Sequence, residues 1–156
     1  MINNRSDEHE ILMASGNISN ARHVLVADDD ENDVFLLRRA FQKAGLPHTL
    51  IHVRDGQEAI NYLGSKTSPN GKQTKPNLLL LDLKMPLVDG FDVLVWLQAR
   101  PELITLPVVV LSSSSLPADK KKAKDLGAKD YLAKPADMQE LTKLAHALHE
   151  RWLRED

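Results

Sequence analysis

The sequence predicts an open, doubly wound α/β domain: a five-stranded parallel sheet with helices on both faces. Two observations carry that prediction. Five short strand-like segments alternate with five helical patterns between residues 23 and 152, the arrangement that crossover connections between parallel strands produce. Several of those strands are unbroken apolar runs, "LLLL" (78–81) and "VVVL" (108–111) among them. Such runs are expected where both faces of a strand are covered.

Each element follows from local signals. The first strand is "HVLVA" (23–27), and Val34, Leu37, Phe41 and Ala44 then keep helical spacing up to Gly45, a C-terminal stop. "HTLIHV" (48–53) is the second strand, and Asp55 to Leu63 reads as a helix ending at Gly64. "NLLLLD" (77–82) is the third strand, followed by a helix over Phe91 to Ala99 with Pro101 just beyond it. "PVVVLS" (107–112) is the fourth, after which Pro117 opens a helix that stops at Gly127. "DYLA" (130–133) is the fifth. The last helix has Asp137 and Glu140 in a capping-box-like arrangement, then Leu141, Leu144, Ala145, Leu148 and Trp152 along one stripe. Residues 22–156 are thus expected to form the domain. The Asn- and Ser-rich stretch 1–21 is expected to be a mobile extension, with a short amphipathic piece around Glu10 to Ala14.

Composition narrows the function. With 156 residues, 42% apolar and 27% charged, the chain suits one ordinary globular domain with a real core. A net charge of -2 gives no support to nucleic-acid binding. There are no cysteines, which excludes thiolate chemistry and Cys-ligated zinc and points to a reducing cytoplasm. The start has no basic head followed by a long apolar run, and no run is long enough for a membrane span.

Sheets of this class bind ligands beyond the carboxyl ends of their strands. The first strand ends in Asp28, Asp29 and Asp30, the third in Asp82, the fourth in Ser112, and the fifth runs into Lys134 and Pro135. Clustered carboxylates raise one another's pKa unless a cation joins them, and hard oxygen ligands suit Mg²⁺. Lys134 and Ser112 would then serve an incoming anion, which makes this a site for a phosphoryl group beside magnesium. Asp82 is the candidate nucleophile, able to form an aspartyl phosphate. Taken singly these features are ordinary: acids at strand ends cap helices, and Asp30 reads as such a cap with Asp33 near the third helical position. Their joint occurrence, each at a strand terminus, is what points to a site.

The set resembles the receiver domain of two-component response regulators, over essentially Arg22 to Trp152. "VLVADDDENDVFLLRRAF" is similar to that family's first strand, acidic pair and first helix, and "LLLLDLKMPLVDGFDVL" to its phosphoacceptor strand and loop. "PVVVLSSS" is similar to the hydroxyl-bearing strand, and "GAKDYLAKPAD" to the segment with the switch aromatic and Lys-Pro. The resemblance implies a flavodoxin-like strand order 2-1-3-4-5. It implies phosphorylation of Asp82 by a sensor histidine kinase or a histidine phosphotransfer protein, with slow self-dephosphorylation. Asp29 would ligate Mg²⁺ directly, Asp28 mainly through water, and Lys84 through its backbone carbonyl. Ser112 and Lys134 would hold the phosphoryl group. Tyr131 would be the rotameric switch reporting to the surface of the fourth helix, fifth strand and fifth helix. A cis Lys134–Pro135 bond is also implied, as is a tuning of phosphate lifetime by Lys84 and Ser114. No output domain is expected after the last helix, and in this the chain resembles the single-domain regulators that partner bacterial phytochromes. "END" (31–33), the Trp152-Leu153 ending and the insertion 65–76 point the same way, although the insertion reads equally as a tolerated surface loop.

A phosphohydrolase of the haloacid-dehalogenase type also uses an aspartate nucleophile with Mg²⁺, but it needs an acid two residues further on, where this chain has Lys84. A degenerate receiver that only binds proteins is opposed by the intact set of site residues. "DKKKAKD" (119–125) reads as a solvated helix face that borders the switch surface. His146 and His149, with no third ligand in sight, read as exposed helix positions. Trp152 either packs back onto the domain or supports a homodimer.

Overall fold

A computed structural model describes residues 21–65 and 75–154. The expected extension (1–21, Ala21 excepted), its amphipathic piece and most of the 65–76 insertion lie outside the described residues. Five strands, β1 (His23–Ala27), β2 (Thr49–Val53), β3 (Leu78–Leu81), β4 (Val108–Ser112) and β5 (Asp130–Ala133), pair in parallel in the order β2-β1-β3-β4-β5. Five α-helices intervene: α1 (Glu31–Lys43), α2 (Gly56–Gly64), α3 (Gly90–Gln98), α4 (Pro117–Asp125) and α5 (Met138–Leu148). This is the predicted flavodoxin-like arrangement.

The apolar runs are explained by two separate cores. Leu79 and Leu81 face one side with Leu25 and Val110, under Ala59, Val93 and Ala123 of α2, α3 and α4. Leu78 and Leu80 face the other side with Val24 and Val109, under Phe41 and Leu148 of α1 and α5. Side chains alternate along a strand, so a strand covered twice has no position left for a polar residue. All four leucines of β3 are at most 1% exposed; burying each contributes on the order of 2–3 kcal/mol.

Helix starts follow the expected capping chemistry. Asp30 accepts from the Asn32 and Asp33 N–H groups, Asp55 from Glu58, and Asp137 from Glu140. The reciprocal capping box occurs at α3, between Asp89 and Asp92. Gly45 (φ 72°) and Gly127 (φ 108°) end their helices in the left-handed region.

Beyond α5 the chain widens into a π-helical turn, His149–Leu153. The extra residue moves the apolar stripe on by one, so Leu153 (1% exposed) is fully buried while Trp152 packs half-buried against the same core. His149 departs from the exposed position expected of it. It is half-buried, stacked on His48 with ring centroids 5.1 Å apart, and its Nδ1 lies 2.9 Å from His48 Nε2. No local signal marks this pair, because its members lie 101 residues apart in the chain. His146 is exposed, as expected. The Lys134–Pro135 bond departs from expectation too: among the described residues no peptide is cis. The trans form, favoured intrinsically by about 0.5–1 kcal/mol, already brings the Lys134 ammonium to the acidic groups.

Candidate functional site

Strand order decides which side chains meet. β1 and β3 are central neighbours whose connections leave to opposite sides, so a crevice opens beyond their carboxyl ends. Asp28 directly follows β1 and Asp82 directly follows β3. Their backbones extend the ladder, the Asp82 N–H donating to Ala27 O at 3.0 Å and the Asp28 N–H to Val53 O at 3.1 Å. Both carboxylates are therefore held by rigid strands, at 5% and 6% exposure. Asp29 is exposed, and one oxygen each from Asp28, Asp29 and Asp82 lie within 4.8 Å of one another.

Lys134 arrives from the end of β5. Its Nζ stands 3.0 Å from Asp28 Oδ2, 3.1 Å from Asp82 Oδ2 and 2.8 Å from Asp33 Oδ2. Burial works against the ammonium, yet the bonds to Asp33 and Asp28 and the charge of Asp82 outweigh it and raise its pKa above that of ordinary lysine. Burial pushes the Asp28 carboxyl up; the Asp30 N–H and Lys134 pull it back, while the Asp82 charge adds to the rise. Three like charges are thus held together on one ammonium.

The loop after Asp82 is pinned from two sides. Gly90 N–H donates to Leu83 O at 2.9 Å, and a side chain at Gly90 would run into the Asp82 carbonyl and stand 2.8 Å from Leu83 Cα. Gly56 N–H donates to Val88 O at 3.0 Å, and a Cβ at Gly56 would collide with that oxygen. Glycine is required here by close backbone approach, with no demand on φ. Between these anchors Leu87 takes φ 70°, an uncommon conformation for a side-chain-bearing residue. Lys84 is exposed at the mouth, beside an open cleft that Asp29, Phe91 and Asp119 also line.

Ser112, fully buried, ends β4; its Oγ accepts from the Ser114 N–H at 3.2 Å and keeps its own proton free to donate. Ser114 Oγ donates to Asp119 Oδ2 at 2.6 Å, and the inward-facing Tyr131 hydroxyl donates to Ser114 O at 2.9 Å. The hydroxyl strand, the loop after it and the β5 aromatic are thus one bonded unit. Lys134 N–H donates to Ser112 O at 2.9 Å, which joins that unit to the acidic groups.

Sequence reasoning named Asp28, Asp29, Asp82, Lys84, Ser112, Tyr131 and Lys134, and all stand at or beside this crevice. It passed over Asp33 as a site residue. An acid in the first turn of a helix reads as a partner for the helix dipole, and no local signal distinguishes one whose side chain turns back over the sheet. Asp119 was missed for the same reason.

Comparisons with known proteins agree on one family. The sequence profile of the response regulator receiver domain matches residues 24–146. The probable methanogenesis regulatory protein FilR2 of Methanothrix harundinacea is 32% identical over 130 residues, 83% of this chain and 83% of its own. Response regulator Rcp1 of Synechocystis is 32% identical over 83% of this chain and 88% of its own. Its solved Mn²⁺-bound form superposes with a TM-score of 0.75 at 30% identity, covering 86% of this chain and 96% of the other. The phosphorylated cyanobacterial phytochrome response regulator RcpA superposes with a TM-score of 0.76 at 33% identity, covering 85% and 94%.

Proposed function

This chain belongs to the response regulator receiver family, and on that premise we propose that Asp82 is its phosphoacceptor, served by a histidine kinase or a histidine phosphotransfer protein. The observation that carries the reading is the meeting of two buried carboxylates from different strands, Asp28 and Asp82, on one lysine nitrogen at 3.0 and 3.1 Å. A buried acid group so arranged is costly as structure alone and useful as a charge-balanced reaction centre.

An all-oxygen donor set from Asp28, Asp29 and Asp82 fits a hard divalent cation, and the backbone carbonyl of Lys84 is the further candidate ligand. Mg²⁺ held there supplies positive charge for the oxygens of the transferring phosphoryl group. An Asp82 oxygen attacks phosphorus, a new P–O bond forms, and the bond to the donor breaks with its electron pair leaving on the donor atom. Lys134 Nζ–H then turns from carboxylate to phosphoryl oxygen. Ser112 Oγ–H donates to another, which draws on the Ser114 segment bonded to it. Because Tyr131 holds that same segment, its ring is the element through which the change reaches the surface of α4, β5 and α5. Slow hydrolysis of the acyl phosphate, with Lys84 and Ser114 beside it, resets the protein, and the altered surface recruits a partner or a second copy. Sedimentation at high concentration with and without a phosphoryl mimic tests the pairing; a monomer in both states rules it out.

The direct test is incubation with acetyl phosphate and Mg²⁺, followed by intact-mass measurement. The expected result is one phosphoryl adduct, lost in Asp82→Asn and in the presence of excess EDTA. A chain that stays unlabelled, or labels equally in Asp82→Asn, overturns the assignment.

A further inference from the structure

We propose that Asp33 is a competing ligand for Lys134, one that biases the site toward a divalent cation and against the phosphoryl group. The inference rests on the phosphoacceptor reading and concerns a residue outside the three-carboxylate cluster. A lysine ammonium carries three N–H donors, and here three carboxylates stand around it. The shortest contact, 2.8 Å, goes to Asp33, which comes from α1 and not from a strand end. Its side chain is 37% exposed, against 7% for Asp28 and Asp82, so it is the partner that solvent can most easily receive. Asp33 therefore occupies, from within the chain, one of the donors that an incoming anion needs.

The charge count gives the direction. Asp28, Asp33 and Asp82 share the Lys134 ammonium and Asp29 clusters with two of them, while Lys84 stands exposed at the mouth. Four acids against two cations leave the site over-supplied with negative charge. Asp33 and Asp82 bond the same nitrogen at 2.8 and 3.1 Å, which leaves their charges within roughly 6 Å of each other. At that separation Asp33 attracts any cation placed among the acids and repels any anion added at Asp82. Removing its charge while keeping its shape must move the two affinities in opposite directions, by about three- to tenfold each for partly solvated charges. A purely structural role for Asp33, holding Lys134 in place, would instead weaken both.

The test uses Asp33→Asn in the full chain. Mg²⁺ affinity is read by calorimetry, and affinity for beryllofluoride, a phosphoryl mimic, by fluorine NMR at saturating Mg²⁺. Glu31→Gln is the control, since it removes a charge from the same helical turn at a residue paired with Arg54. Weaker Mg²⁺ binding with tighter beryllofluoride binding in Asp33→Asn, and little change in Glu31→Gln, is the expected result. Loss of both affinities, no change in either, or an equal effect of Glu31→Gln overturns the proposal. Failure of the wild type to take up beryllofluoride at all would overturn the phosphoacceptor reading itself, and this one with it.

Discussion

Acid should loosen this protein through one buried ring, that of His48. The residue is 8% exposed. The Arg22 backbone N–H donates to its Nδ1 at 3.0 Å, so Nε2 carries the proton and faces His149. A second proton on Nδ1 would have to break the Arg22 bond. Burial first, then the charges of His149 and Arg22, lower the His48 pKa from 6.5 to about 4. In the unfolded chain His48 takes its proton near 6.5, and in the folded chain only near 4. Between those values the unfolded state binds more protons, so stability is fully present above pH 6.5 and is lost as pH falls toward 4. The whole window is worth about 3 kcal/mol, of which about 2 kcal/mol is gone by pH 5. Urea unfolding at pH 7.5 and at pH 5 measures it in the wild type and in His48→Asn, whose amide oxygen still accepts from Arg22. The variant starts from a lower stability, by about 1–2 kcal/mol for the lost His149 contact and packing, but should lose about 2 kcal/mol less between the two pH values. Equal pH slopes in the two proteins would refute the argument, because the ring would then be titrating as if exposed.

Other expectations follow from single contacts. Asp28→Asn keeps the acceptor for the Asp30 N–H (2.9 Å) while removing a desolvated charge; the metal-free protein should gain about 1 kcal/mol in urea unfolding, while Mg²⁺ binding by calorimetry weakens sharply. Gly90→Ala places a methyl against the Asp82 carbonyl, and a loss of roughly 1–3 kcal/mol, with reduced labelling by acetyl phosphate, should appear in unfolding and mass measurements. Gly45→Ala meets no atom but keeps φ 72°, so it should cost only about 1 kcal/mol and leave labelling intact. Tyr131→Phe removes the bond to Ser114 O and should cost about 1 kcal/mol, with the amide signals of the Ser112–Leu116 loop broadened in NMR spectra.

Much of this protein is legible in its sequence because the relevant forces are local. Period-two burial, seen twice over in β3, made the strands visible, and the glycines, the cap Asp30 and the Asp137/Glu140 pair marked helix ends. The acids at strand ends were legible as a site through one general rule about parallel sheets, so Asp28, Asp82, Ser112 and Lys134 could be named without coordinates. Asp33 and the His48–His149 pair were not, since their meaning depends on groups far away in the chain. The same holds for the π turn that exchanges Trp152 for Leu153 in the core: a stripe spaced by four fits the sequence as well as one spaced by five.

Residue types and their spacing alone determined the elements, their alternation and the chemistry available at the strand ends. Only the tertiary structure decided how that chemistry is shared, with the Lys134 charge divided among Asp28, Asp33 and Asp82 and the Tyr131 hydroxyl committed to Ser114. The reason is physical: backbone preference and apolar periodicity act over a few residues, whereas the partner of a buried charge is whichever opposite charge packing delivers within about 3 Å.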